Sequence, residues 1–242
     1  MIRKSRFAVT IGLVMALSVA AIAYADGVSE NDPGVKGKVS PTKLDKKKFK
    51  PVSLFSGVFT AGPVPGLNPE AEFLSYPKNL KFDSTAAPFC SAPIEFQTTE
   101  AAKQACPPDS NIGSGEAEVR LPGGFISDPI TVTVFNGPGE NEVRLHTYSQ
   151  QLEGATPTVF GKIVKSGKGG EFGDALSVPD APDVADDSGK ITKFEATITK
   201  ASRVVLARCK DKTQTFQREV TYDDGTKESV QITDRCKRKK RR

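Results

Sequence analysis

The sequence predicts an all-β fold, an antiparallel two-sheet sandwich of roughly ten strands with one short helix near residues 98–105. Three observations lead there. Apolar residues recur with period two in short runs, turn-forming sequences separate the runs, and a single segment carries helix signals.

The runs come in order. EAEVRL from Glu116 sends Ala117, Val119 and Leu121 to one face and Glu116, Glu118 and Arg120 to the other. ITVTVF from Ile130 sets Ile130, Val132 and Val134 against Thr131 and Thr133. VRLHTYS from Val143, TKFEATIT from Thr192, SRVVLARC from Ser202, TFQREVTY from Thr215 and KESVQIT from Lys227 alternate in the same way. FNGPGEN, KSGKGGEFG and YDDGTK lie between them, and their Gly, Asn and Asp tolerate positive φ; the last reads as a tight hairpin. TTEAAKQA from Thr98 to Ala105 is the helix, with a Thr as N-cap, Glu100 in its first turn and Pro107 just past its end. With 14 Phe and no Trp, the core rests on Phe, Val, Ile and Leu. At ~1.5–3 kcal/mol per large side chain buried, that suffices for an ordinary domain.

The N-terminus reads as a secretory signal peptide over residues 1–25. Arg3, Lys4 and Arg6 precede an uncharged apolar run from Phe7 to Tyr24, and Ala23-Tyr24-Ala25 places the cut after Ala25. Residues 26–48 are expected to form a disordered linker: DGVSENDPGVKGKVS is too poor in large apolar groups to offset its ordering entropy, and the basic run KLDKKKFK follows. The sandwich is assigned to residues 49–236 and a basic tail to 237–242. Without the three leader cations and the six of the tail, the chain has 25 basic against 29 acidic residues, so the body is slightly acidic.

Four cysteines in an exported chain imply two disulfides. Fifteen residues lie between Cys90 and Cys106, 26 between Cys209 and Cys236, and 102 between the pairs, so local pairing is the simplest reading. In a flat meander the strands carrying Cys209 and Cys236 would stand ~9.6 Å apart, at ~4.8 Å per strand. A disulfide needs Cα atoms within ~7 Å. Either Cys209 lies beyond its strand, or its strand belongs to another sheet; the second is preferred.

Catalytic signals are sparse, and no cofactor or metal is expected. His146, the sole histidine, is read as a solvated or hydrogen-bonded strand residue, since no Gly-x-Ser-x-Gly elbow accompanies it. Asp180, Asp183, Asp186 and Asp187 do not match the EF-hand spacing and read as a solvated acidic loop. Gly113-Ser114-Gly115 reads as a turn, because no Lys follows and a strand rather than a helix comes next.

The candidate binding residues are the two basic runs: Lys46, Lys47, Lys48 and Lys50, and Lys237, Arg238, Lys239, Lys240, Arg241 and Arg242. They flank the body, and they lack the interleaved aromatics of a nucleic-acid groove, which argues against nucleic acid as a partner. Outside the cell a lysine and arginine hexamer has no nuclear reader, and each cation near an anionic surface contributes ~1 kcal/mol. A frayed solubilising end is the plain alternative for the tail.

Several segments together, SPTKLDKKKFKPVSL, FDSTAAPFC, AKQACPPDSNIGSGEA, FNGPGE, ITKFEATITK and a closing cysteine before a basic tail, resemble a group of uncharacterised exported proteins of actinobacteria. The resemblance implies an exported β-rich protein and adds no chemistry. The expected function is a noncatalytic, structural, adhesive or binding role at the cell envelope, secreted or surface-associated, with an anionic polymer or phospholipid surface as partner. A secreted hydrolase whose carboxylates meet only in the fold is the alternative, and an extracellular nucleic-acid binder a third.

Overall fold

The protein was analysed as a computed structural model, which describes residues 34–59, 69–152, 156–179 and 189–239. The signal-peptide assignment and the acidic loop from Asp180 to Asp187 lie outside the described residues.

The strands are β1 (Gly34–Ser40), β2 (Lys43–Leu44), β3 (Lys50–Pro51), β4 (Ser53–Phe59), β5 (Pro69–Pro77), β6 (Leu80–Phe82), β7 (Asn111–Arg120), β8 (Ile130–Asn136) and β9 (Glu142–Tyr148). There follow β10 (Val159–Lys165), β11 (Phe172–Val178), β12 (Lys190–Ile198), β13 (Val205–Ala207), β14 (Thr213–Tyr222), β15 (Lys227–Arg235) and β16 (Lys237–Arg238). The one α-helix among the described residues is α1 (Thr99–Ala105); Thr98 Oγ1 accepts from the Ala101 N–H at 3.2 Å, the capping expected from its sequence.

The all-β, antiparallel expectation holds, but the strands are not divided between two sheets of a sandwich. Eleven of them form one ladder in the order β1-β4-β12-β7-β8-β9-β10-β11-β5-β14-β15, with every neighbour antiparallel. The ladder curls until its two ends share a core. Val35 and Val39 of β1 and Ile232 of β15 join one buried cluster with Leu54, Tyr76 and Phe216. An alternating sheet buries one face, and a curved sheet can bury that face against itself, so period two alone does not distinguish a closed ladder from two stacked ones.

β1 corrects the linker assignment. Residues 34–40 lie inside the span read as disordered, yet they pair with β4 residue for residue from Gly34↔Phe59 to Ser40↔Ser53. Composition concealed the alternation: Val35, Gly37 and Val39 turn inward while Lys36 and Lys38 stay exposed. Gly37 is required there, because a Cβ would sit 2.3 Å from the Phe216 ring. The missing side chain is what lets β14 close over β1, so paired strand is present from Gly34, before the start expected at residue 49.

Gly113-Ser114-Gly115 is likewise strand, not turn, running through β7. Cβ atoms at Gly113 and Gly115 would fall 2.2 and 1.8 Å from the carbonyl oxygens of Thr197 and Glu195 on β12, so the glycines permit a close backbone approach. The hairpin at YDDGTK is tight as expected: Gly225 takes φ +81°, and Asp224 Oδ1 accepts the Thr226 N–H at 2.8 Å.

A second cluster fills the ladder beneath β7–β9 with Val119, Val132, Val134, Val143 and Leu145. The outer face of β8 and β9 is covered too, by the excursion that carries α1. There Cys90, Ile94, Ala102 and Cys106 pack on Phe135. Asn136 Nδ2 donates to the carbonyls of Ser84 and Ala87, both at 2.8 Å, holding the excursion in place.

Candidate functional site

Both disulfides pair locally, Cys90 with Cys106 and Cys209 with Cys236. Free thiols are absent among the described residues, and such bonds persist in oxidising compartments. The second bridge builds the candidate site. β13 belongs to a separate three-stranded sheet, β3-β13-β6, while β15 is the last strand of the main ladder, so the bridge joins two sheets, as preferred from sequence. Cys209 also lies two residues beyond the end of β13, and its Cα stands 5.8 Å from that of Cys236.

Just past Cys236 the chain forms β16, which pairs in parallel with β2 in the register Lys237↔Lys43 and Arg238↔Leu44. The Lys237 N–H donates to the Thr42 carbonyl and the Lys239 N–H to the Leu44 carbonyl, each at 2.8 Å. The start of the C-terminal basic run, expected to flank the body apart from the N-terminal one, is thus laid beside the start of that run. Lys237 and Arg238 are strand, and the Lys239 N–H is bonded to β2, so this part of the tail is not a frayed end; Lys240, Arg241 and Arg242 lie outside the described residues.

Local turns fix the rest of this end. Asp45 Oδ1 accepts the N–H groups of Lys47 and Lys48 at 2.7 and 2.9 Å, and these backbone donors hold its carboxyl below the usual value. The Asp45 carbonyl accepts the Cys209 N–H at 2.8 Å, tying that turn to the disulfide. Phe49 lies between two cations, with Arg208 4.5 Å and Lys81 4.7 Å from its ring centroid. Arg238 donates to the Lys210 carbonyl.

Away from this end Lys36, Lys78, Lys162, Lys165, Lys168 and Lys193 each pair with a carboxylate; the exposed Lys38, Lys81, Lys103 and Lys227 form no ion pair among the described residues but are dispersed over separate elements. At the end, Lys43, Lys46, Lys47, Lys48, Lys50, Lys200, Lys237 and Lys239 are exposed and form no ion pair among the described residues. Four of them, Lys43, Lys50, Lys200 and Lys239, line a cleft of about 220 Å³ with Pro41, Leu44, Asp45 and Pro51. Lys200 and Lys43 were not among the residues singled out by sequence. Lys200 belongs to neither basic run, with Arg203 its nearest cation in sequence, and the topology carries it here.

His146 is hydrogen-bonded but not solvated. It is fully buried beneath the excursion, with Nε2 3.0 Å from the Gln97 carbonyl. The outward face of β9 is read as wet from parity alone, but α1 and its flanking segments cover it. Burial pushes the His146 pKa below the ordinary 6.5, against the opposing pull of the Gln97 carbonyl and Glu95. The unfolded chain therefore binds the proton more readily, so this contribution to stability is complete above pH 6.5 and is lost as pH falls toward the depressed folded value. Thermal midpoints should drop on acidification below 6.5, and His146→Gln should flatten that drop; an undiminished drop in the variant would assign it to other groups.

Among the described residues no three His, Cys, Asp or Glu side chains are placed to hold a metal ion. Glu118 and Glu195 come near each other only around the Lys193 ammonium, at 3.3 and 3.4 Å. Among the described residues no helix is long and apolar enough to cross a membrane.

No family model and no curated protein sequence matches the chain. Among solved structures, the N-terminal domain of the Streptococcus gordonii adhesin Sgo0707 aligns with a TM-score of 0.37 and 11% identity over 85% of this chain. The alignment spans 33% of the adhesin chain.

Proposed function

We propose that the protein is an exported, noncatalytic β-protein held at the cell envelope by its basic end, which engages an anionic polymer. The observation that carries this reading is the pairing of β16 with β2, which brings Lys237, Arg238 and Lys239 beside the run that starts at Lys43, with no ion pair to any lysine of either segment among the described residues. Charges scattered over a slightly acidic body would cancel within a Debye length of ~8 Å at physiological ionic strength; charges collected at one end do not.

A polymer is favoured over a lipid bilayer by what surrounds the lysines. The exposed large apolar side chains among the described residues are Phe96, Phe125, Ile126, Phe160 and Val164, and none lies in β2, β3, β16 or the turns beside them. Among the described residues the face offers cations with no exposed large apolar side chain to enter acyl chains. Two disulfides and the signal-like N-terminus support an extracytoplasmic setting.

Washing isolated envelopes with increasing salt tests the reading. The protein should be released at moderate ionic strength, without detergent, and a chain ending at Cys236 should not bind. Retention through high salt, or full binding by the shortened chain, would contradict it.

A further inference from the structure

Resting on that reading, we propose that the cleft lined by Lys43, Lys50, Lys200 and Lys239 is a discrete site for one phosphate-type oxyanion, as carried by a phosphodiester-linked polymer. Diffuse attraction needs only charge; this cleft has charge on a fixed frame.

The four lysines come from four stretches of chain whose backbones are each pinned. Lys43 is in β2 and Lys239 follows β16, and the two segments are joined by the parallel pairing. Lys50 is in β3, paired with Ala207 of β13. Lys200 opens a short 3-10 turn, and its N–H donates to Ser53 Oγ at 3.0 Å. Pinning the stems lowers the ordering cost of closing them on a ligand.

Asp45, the only acid in the lining, has its Oδ1 occupied by two backbone N–H groups. Pro41, Leu44 and Pro51 supply an apolar wall, beside which charge interactions are stronger than in open water. The cations are all lysines. An ammonium is a point charge with three rotatable donors that suits any oxygen of a tetrahedral anion, and lysines bind phosphate in this way. The cleft is well above the ~10–15 Å³ that a single water needs on the same measure, and so has room for a phosphoryl group.

Lys200 makes the inference testable, because it belongs to the cleft and to neither basic run. Calorimetric titration of the oxidised mature protein with inorganic phosphate at low ionic strength should show saturable one-to-one binding. Lys200→Gln should weaken it about fivefold or more, while Lys46→Gln, the same charge removed outside the cleft lining, should weaken it less than about twofold. Phosphate should also release envelope-bound protein more effectively than chloride at matched ionic strength. Equal effects of the two substitutions, or no saturable phosphate binding while envelope retention stays salt-sensitive, would overturn the site and leave the envelope reading standing. Loss of both would overturn both. Capture by phosphatidylglycerol vesicles as strong as capture by envelopes would keep the site and overturn the polymer as its source.

Discussion

Replacing Cys209 and Cys236 together by alanine is expected to lower the unfolding free energy by about 3.5 kcal/mol, the chain-entropy value for a loop closed across the 27-residue separation. Domains of this kind are stable by only ~5–15 kcal/mol, so the loss is large. The local consequence is larger still. The bridge holds Cys209, and through the Cys209 N–H the Asp45 carbonyl, against the strand that leads into β16. A two-residue parallel pair closing nearly the whole chain cannot hold itself together against loop-closure entropy. Hydrogen exchange at the Lys237 and Lys239 amides should accelerate toward the unprotected rate, and envelope retention should fall with no change in net charge. Removing Cys90 and Cys106 should cost about 3 kcal/mol by the same arithmetic, yet leave retention intact, because that bridge fastens the excursion over β8 and β9. Equal loss of retention from both variants would refute the role of the Cys209–Cys236 bridge in holding β16 in place.

Arg218→Met is expected to destabilise the chain by about 3 kcal/mol, the lower part of the range for breaking a buried pair. Arg218 is 1% exposed and lies inside the curled ladder on β14. Its guanidinium meets both carboxylate oxygens of Glu72 on β5, with Nε at 2.9 Å, and donates to the Phe59 carbonyl at 2.8 Å. Truncating the cation leaves a carboxylate and a carbonyl without their donor in a confined space. The double variant Arg218→Met with Glu72→Leu should recover most of the loss, since an apolar pair of similar volume carries no desolvation penalty. Urea unfolding reads both. A single-variant cost under about 1 kcal/mol would mean that water replaces the guanidinium there.

Much of the fold was legible because its signals are local. β7, β8, β9, β12, β14 and β15 follow alternation within seven to ten residues, and α1 follows its N-cap and Pro107. The cysteine pairs were readable from spacing. What escaped depends on distant partners. β1 reads as disordered by composition because its two valines become a buried face only when β4 and Phe216 arrive. Gly113 and Gly115 look like turn residues until β12 lies against them. The choice between a sandwich and a single curled ladder is invisible to period two, since both bury one face.

The candidate site divides along the same line. The lysines and arginines of both runs could be named from sequence, because charge density is a local property. Their assembly could not: β2 and β16 meet over two residues each, too short for any pattern, and nearly two hundred residues separate them. Lys200 has no basic neighbour in sequence beyond Arg203 and reaches the cleft only through the end of β12.

Location of positive charge, rather than its amount, is the central claim, and salt elution of two charge-matched variants from isolated envelopes tests it. One carries Lys50→Gln, Lys200→Gln and Lys239→Gln at the basic end; the other carries Lys103→Gln, Lys162→Gln and Lys227→Gln on exposed positions elsewhere. The first should elute at much lower salt than the native chain, the second close to it. Coincident elution of the two variants would contradict the assignment of binding to the basic end.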